Sequence, residues 1–415
     1  MGTARRRPAP LAAALLPAAL LAACGEFAPR SVEGAAFLSR RETQEQDGLR
    51  VSVAALSDEE GRRHLGVDLA KEGVQPVWFE IQNRTGEVAW FLPIGTDPAY
   101  FAPFEVAWMF HRPFAKERNA RIEEHFLSLA LPEQLPPGGS ARGFLFTHRS
   151  EGAKFVRAQV LSRKRLREMR FIARVPGGRW DFESVDFARL APASSRREVS
   201  AAELGALLAR LPAVASGEGG QGAADPLNLV LVADLHTGLF PFVTRGWALT
   251  EPFDLSAAWK TVAAFLLGEG YATSPVSPLY VFGRPQDVAL QKPRNSIHQR
   301  NHLRLWLTDL TVGGKPVWLG QVSRDVGVRL TTHSWYLTTH TIDPDVDEAR
   351  DYLLQDLGFS GYVDRIGYAN GVGPAPRTAP RHNLTGDPYF TDGQRLVVFL
   401  EDEPGPVSRT GLVTW

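Results

Sequence analysis

Cysteine is nearly absent from this chain: Cys24 is the only one in 415 residues. A single thiol excludes an intrachain disulfide framework and any CxxC zinc or redox pair. A charge excess is missing too, since 46 Lys and Arg balance 46 Asp and Glu. That balance removes the basic surplus that nucleic-acid binding requires, and no nucleic-acid partner is expected. After the first 26 residues no uninterrupted apolar run reaches the length of a membrane-spanning helix. No glycine-rich phosphate loop is found, and no motif calls for a cofactor. What is there is ordinary globular composition, 44% hydrophobic and 22% charged. The length suits two or three domains.

The N-terminus has three parts. Arg5, Arg6 and Arg7 open it, an apolar run from Leu11 to Leu20 follows, broken by Pro17, and Leu21-Ala22-Ala23-Cys24 closes it. This is the layout of a secretory signal, and the apolar core is too short for a spanning helix. The closing tetrapeptide resembles the lipobox of bacterial lipoproteins. The resemblance implies a signal peptide over 1–23, diacylglycerol on the Cys24 thiol, a further acyl chain such as palmitate on its amine, and a membrane anchor. The alternative is a soluble exported protein with a chance cysteine. Gly25 stands where an Asp tends to retain such proteins in the inner membrane, so the expected place is the outer membrane, facing the periplasm. Removing residues 1–23 leaves 43 basic against 46 acidic residues. Each buried acyl CH₂ would contribute about 0.8 kcal/mol to anchoring.

The expected fold class is α+β and multi-domain. Residues 24–46 are polar and read as a lipidated tether. Residues 47–190 read as all-β: Val77, Phe79 and Ile81 alternate with Trp78, Glu80 and Gln82, and Gly/Pro turns punctuate several short strands. An antiparallel β-sandwich follows, with an Ig-like arrangement as one option. Trp78, Trp90 and Trp108 are expected in its core, and His111, His125 and His148 on its surface. Ser200 and Glu203 form a capping box ahead of a Leu204, Leu207, Leu208, Leu211 stripe that Pro212 ends. The glycine-rich run 216–222 then reads as a flexible linker, so 191–224 is helix plus linker. Residues 225–403 mix strands with helices over 255–267 and from Val346 to Leu357, and Gly313-Gly314 marks a hairpin. A hairpin with helices on one face suits a mixed α+β domain. Residues 404–415 read as a tail.

Several motifs recur in order over roughly 226–400. They include Pro226-Leu227-Asn228-Leu229, Ser277-Pro278-Leu279-Tyr280-Val281-Phe282-Gly283-Arg284-Pro285-Gln286-Asp287 and Gln291-Lys292-Pro293-Arg294. Asn301-His302-Leu303-Arg304-Leu305-Trp306, His340-Thr341-Ile342-Asp343-Pro344-Asp345-Val346-Asp347 and Asn383-Leu384-Thr385-Gly386-Asp387-Pro388-Tyr389 complete them. Together they resemble the LssY-like C-terminal domain of bacteria. In that family the domain can be joined to membrane segments, which this chain replaces with a lipobox and a β-domain. The resemblance brings no settled activity.

The residues themselves suggest chemistry. A two-residue turn at Gly313-Gly314 places Val312 opposite Lys315, His302 opposite Asp325, Arg304 opposite Ser323 and Trp306 opposite Gln321. A His beside an Asp is a sensible general-base pair. The alternative is a solvated sheet face with a cross-strand pair. Arg284, Lys292, Arg294, His302 and Arg304 form a local basic excess that suits a phosphate, a carboxylate or an anionic head group. A plain basic surface loop is the other reading. His340, Asp343 and Asp345 mimic the start of a calcium loop, but Glu348 and Leu354 stand where that loop needs Gly and Glu. Asp345 ahead of Glu348 reads better as a helix cap. Two functions follow. One is an envelope lipoprotein whose C-terminal domain binds a partner protein or an anionic ligand. The other is a hydrolase-like enzyme on a phosphate- or lipid-bearing substrate, joining the catalytic candidates His302, Asp325 and Arg304 to Arg294 or His340.

Overall fold

A computed structural model describes residues 27–150, 153–177, 185–190, 192–250, 277–296, 299–330 and 338–415. The lipobox with Cys24 and the helix expected over 255–267 lie outside the described residues. The fold is mixed α+β and mostly strands. It divides into two compact units that meet in sequence at Gly177 and Gly178.

Unit 1 contains β1 (Glu42–Gln46), β2 (Leu49–Ala55), β3 (Val74–Asn83), β4 (Ala89–Leu92), β5 (Gln134–Leu135), β6 (Ser140–His148), β7 (Ala153–Ser162) and β8 (Arg165–Arg174). Its helices are α1 (Asp58–Leu65), α2 (Pro103–Met109) and α3 (Lys116–Ser128). Two antiparallel four-stranded sheets form, ordered β1-β2-β3-β6 and β5-β4-β7-β8. Their facing residues share one core: Val51, Val53, Val77, Phe79 and Ile81 meet Phe91, Val156, Val160 and Phe171. This is the period-two face read from the sequence. The opposite face of the first sheet is also covered. Trp78, Phe144 and Phe146 pack beneath Val106, Ile122 and Phe126 of α2 and α3. The all-β reading of 47–190 is therefore corrected by α1, α2 and α3. The capping box at the start of α1 carries a local signal for one of them: Ser57 Oγ accepts from Glu60 N, and Glu60 Oε2 from Ser57 N.

The tether expected over 24–46 is folded from residue 27 onward. Phe27 and Phe37 are buried in the helical layer and β1 pairs with β2. Two large aromatic side chains in an otherwise polar stretch supply the apolar area that holds it down. Of the three tryptophans expected in the core only Trp78 is there; Trp90 and Trp108 are exposed.

Unit 2 contains β9 (Arg197–Glu198), β10 (Leu229–Val232), β11 (Ala248–Leu249), β12 (Tyr280–Val281), β13 (Arg284–Pro285), β14 (Val288–Ser296), β15 (Gln299–Val312) and β16 (Lys315–Leu330). It continues with β17 (Thr338–Ile342), β18 (Val363–Asn370), β19 (Arg381–His382), β20 (Pro388–Tyr389), β21 (Gln394–Leu400) and β22 (Gly411–Leu412). The helices are α4 (Phe187–Leu190), α5 (Ala201–Leu208), α6 (Leu235–Thr244) and α7 (Val346–Gly358). One mixed sheet runs β11-β14-β15-β16-β10-β21-β18-β22, with β17 joined to β16 and β9 to β15. β10 and β21 pair in parallel at its centre. Their runs Leu-Val-Leu-Val and Leu-Val-Val-Phe-Leu are buried on both faces, so both faces need cover.

On one face Leu204 and Leu208 of α5 pack with Val230, Trp306, Leu319 and Val397. On the other lies α7: Asp356 pairs with Lys292, and Glu348 with Arg324. Helices thus flank the sheet on both sides, which corrects the one-sided expectation. The glycine-rich run 216–222 is no linker. Ala215 and Ala224 are buried and hydrogen-bonded to each other, and Ser216 bridges to Tyr280. Gly219, Gly220 and Gly222 take positive φ and let this loop turn tightly. The terminal residues are no tail either. β22 pairs with β18, and Val413 N donates to Ile366 O at 2.7 Å.

Candidate functional site

The Gly313-Gly314 hairpin sets the site. Both glycines take positive φ, as a two-residue hairpin turn demands, and Val312 faces Lys315 as the sequence implies. Between Leu307 and Thr311 the register shifts, so β15 carries two extra residues. Thr308 fastens the irregularity: its Oγ1 donates to Val317 O at 2.8 Å and accepts from Leu310 N at 3.1 Å. β9 runs alongside, and Glu198 accepts from Gly313 N at 2.6 Å and Thr311 Oγ1 at 2.5 Å. These bonds to its charged form hold the Glu198 carboxyl below its ordinary value. The expected pairing is corrected accordingly: His302 faces Ser323, Arg304 faces Gln321 and Trp306 faces Leu319. A shift of two keeps every side chain on its predicted face, because side chains alternate with period two.

That polar face is buried rather than solvated. His302, Arg304, Gln321, Ser323 and Asp325 are all at most 7% exposed. His302 Nε2 lies 2.6 Å from Asp325 Oδ2, one diagonal step along β16. Arg300 follows on the same face, its Nε 3.6 Å from Asp325 Oδ2 and its Nη1 donating to Gln291 Oε1 at 2.9 Å. Arg304 Nη1 donates to Gln321 Oε1 at 2.7 Å, and its Nη2 to Ser277 O at 3.1 Å. Gln321 Nε2 donates in turn to Asp225 Oδ2 at 3.3 Å. Asn383 Nδ2 supplies the other Asp225 oxygen at 2.9 Å. The 383–387 loop that presents Asn383 is braced by its own bonds: Asn383 Oδ1 accepts from Thr385 N and Asp387 N, and Asp387 Oδ2 from Thr385 Oγ1.

Burial sets the electrostatics. It pushes the His302 imidazole down to about 4, assisted by Arg300 and Arg304 and opposed by Asp325. His302 is therefore neutral at pH 7. A neutral ring satisfies the Asp325 carboxylate by donating its Nε2 proton, which fixes the tautomer. Burial raises the Asp225 carboxyl, against the pull of Arg304 and Asn383. Arg300 and Arg304 are lowered by burial, yet a guanidinium keeps its charge at neutral pH. The cluster is thus a buried set of carboxylates and guanidiniums joined through amides and one imidazole. Chemically it contains a His–Asp pair with Ser323 opposite the histidine, all inside the sheet-to-loop layer.

The structure brings together His302, Asp325 and Arg304 from the sequence candidates. It separates others. Lys292 points to the opposite face and pairs with Asp356 at 2.7 Å. Arg284, in the β12–β13 hairpin, makes a two-pronged bridge to Asp287, at 2.9 Å on both oxygens. The side chains of Arg294 and His340 lie outside the described residues, though the His340 backbone pairs with Val328. Asp343 Oδ1 accepts from Asp345 N, and Asp345 Oδ1 from Glu348 N at 3.3 Å, so Asp345 is the α7 cap. Among the described residues no three metal-binding side chains gather. Sequence reasoning missed Asp225, Asn383 and Asp387 as members. The available signal was a polar residue beside Pro226 and two within Asn-Leu-Thr-Gly-Asp-Pro-Tyr.

Unit 2 is therefore a mixed-sheet domain built over a buried charge network. Residues 209–394 match the family described as LssY C-terminus, so the chain carries an LssY-like C-terminal domain. The match begins at Ala209 and takes in the folded glycine loop. No curated protein matches the chain. Among the described residues no helix is long and apolar enough to cross a membrane.

Proposed function

We propose that the protein is a lipid-anchored envelope lipoprotein whose LssY-like domain is a non-enzymatic binding module for a partner or an anionic ligand. In this reading Cys24 bears the lipid, the outer membrane is the site, and unit 1 is an Ig-like spacer or contact module. The observation that carries the reading is the self-neutralised network. Arg304, Gln321, Asp225 and Asn383 spend polar atoms on one another, and burial holds His302 neutral against Asp325. Arg284 and Lys292, outside that face, are matched to Asp287 and Asp356. Such a cluster fixes chain segments in place and leaves binding to the surface that it stiffens.

The second reading, a hydrolase-like enzyme, is favoured by the 2.6 Å His302–Asp325 contact with Ser323 in register opposite the histidine. One experiment separates the two. The mature chain is assayed for hydrolysis of nitrophenyl phosphate and nitrophenyl esters and, in parallel, for thermal stabilisation by inorganic phosphate. The binding reading expects stabilisation without turnover. Turnover that His302→Gln abolishes, in a variant with unchanged circular dichroism, would establish the enzyme instead. For the anchor, Cys24→Ser should abolish metabolic labelling with palmitate, and persistent labelling overturns the lipobox assignment.

A further inference from the structure

The helical layer of unit 1 completes its core without its largest exposed side chains. Val106, Ala107, Ile122 and Phe126 are fully buried, whereas Phe104 is 47% exposed and Trp108 62%. These two stand one turn apart on α2 with ring centroids 6.1 Å apart. The α2–α3 corner continues the surface. The Trp108 ring lies 4.4 Å from His111, and Phe114 is entirely exposed. Phe114 also holds φ at 62°, a left-handed conformation that a bulky residue rarely adopts. A phenylalanine presented to solvent in a costly backbone conformation points to a use for its side chain. Lys116 and Arg121 are exposed beside Glu117, while Arg118 donates to Phe110 O and Glu123 is taken up by His111 at 2.9 Å.

We propose that this corner inserts Phe104, Trp108 and Phe114 into the surface of an anionic phospholipid bilayer, with Lys116 and Arg121 at the head groups. Aromatic rings favour the interfacial zone, and Arg and Lys stems reach across it to phosphate. The anchor selects this occupant over a protein. Phe27 packs against His125 of α3, with centroids 5.6 Å apart. Only Gly25 and Glu26 stand between Cys24 and Phe27, three Cα steps or about 10 Å at full extension. A lipid on Cys24 therefore brings the bilayer to the layer that contains α3, and the aromatic corner is about one helix length, ~20 Å, away. This step rests on the lipoprotein reading for its orientation; the exposed corner and its charge do not depend on it.

The test uses residues 24–415 with Cys24→Ser, so that no lipid contributes, and vesicles of phosphatidylglycerol and phosphatidylcholine in equal parts. Sedimentation should show vesicle association that weakens with salt. Each ring removed in Phe104→Ala, Trp108→Ala and Phe114→Ala should lower the partition coefficient about tenfold. Lys116→Gln with Arg121→Gln should remove the preference for phosphatidylglycerol while leaving the fold unchanged by circular dichroism. Vesicle binding that the ring substitutions leave intact overturns the proposal, as does no binding by the folded protein. Palmitate labelling of the unmodified chain is scored separately. Vesicle binding without labelling sinks the anchor and keeps the corner; labelling without vesicle binding does the reverse.

Discussion

The neutral state of His302 makes stability depend on pH in a calculable way. The folded chain holds this imidazole near 4, against an ordinary 6.5, mainly because it is buried. The unfolded chain regains the ordinary value. At about pH 7.5 the ring is neutral in both states and costs nothing. As pH falls through 6.5 the unfolded state takes a proton that the folded state refuses, so folding stability falls with pH. Over the full window the loss is about 3 kcal/mol, and about 2 kcal/mol of it is complete by about pH 5. The assay is guanidinium unfolding of the full mature chain at several pH values, beside His302→Gln. The glutamine amide can still donate to Asp325 but does not titrate. Other titrating groups, His125 among them, are common to both chains, so the difference in slope belongs to His302. The variant should lose less stability between about pH 7.5 and pH 5, by about 2 kcal/mol. Parallel pH profiles for the two chains would refute the reasoning, and would mean that His302 takes up its proton alike in the folded and unfolded states.

Three further substitutions probe the scaffold. Asp356→Asn removes the carboxylate that faces Lys292 at 2.7 Å, Arg245 at 3.0 Å and the Trp247 indole at 2.8 Å. It should cost about 3 kcal/mol of unfolding free energy, and a loss under about 1 kcal/mol would show that the lysine finds another partner. Arg395→Met leaves four backbone carbonyls, those of Leu208, Leu211, Pro212 and Gly371, without their donor. A drop of about 3 kcal/mol in the same assay is expected, and a thermal midpoint within a degree of the parent contradicts it. Gly143→Ala places a Cβ 2.7 Å from Leu129 O and 2.8 Å from Leu131 N, both backbone atoms, so the chain must shift. That should cost about 1–3 kcal/mol by chemical denaturation, and an unchanged midpoint would mean that the 129–131 segment moves freely.

Local patterns were readable where one physical cause decides them. The Ser200 and Glu203 capping box, the Gly313-Gly314 turn, the alternation at Val77, Phe79 and Ile81, and the Asp345 cap all stand as the sequence implies. What failed depended on contacts distant in sequence. The glycine-rich run looked like a linker because glycine composition does not reveal that Ser216 will bridge to Tyr280. Trp78 and Trp108 are the same residue type on unlike surfaces, and only the position of α2 and α3 separates them. The hairpin gave the correct face for His302 and its side-chain partner Asp325, but not the residue in register with it, Ser323, because Thr308 fastens a shift that no local propensity marks. The basic run 284–304 showed only Asp287 against it because Asp356, Asp325 and Asp225 lie elsewhere in the chain. Residue type and spacing therefore carried the face, while the network itself came from topology.

The account holds that Asp225, Gln321, Arg304 and Asn383 act as one buried unit although the chain separates Asp225 from Asn383 by 158 positions. A double-mutant cycle with Asp225→Asn and Asn383→Ala tests this directly. The two changes together should destabilise by less than the sum of the single changes, with a coupling of at least about 1 kcal/mol. Losses that add to within about 0.5 kcal/mol would contradict the network and leave only separate contacts.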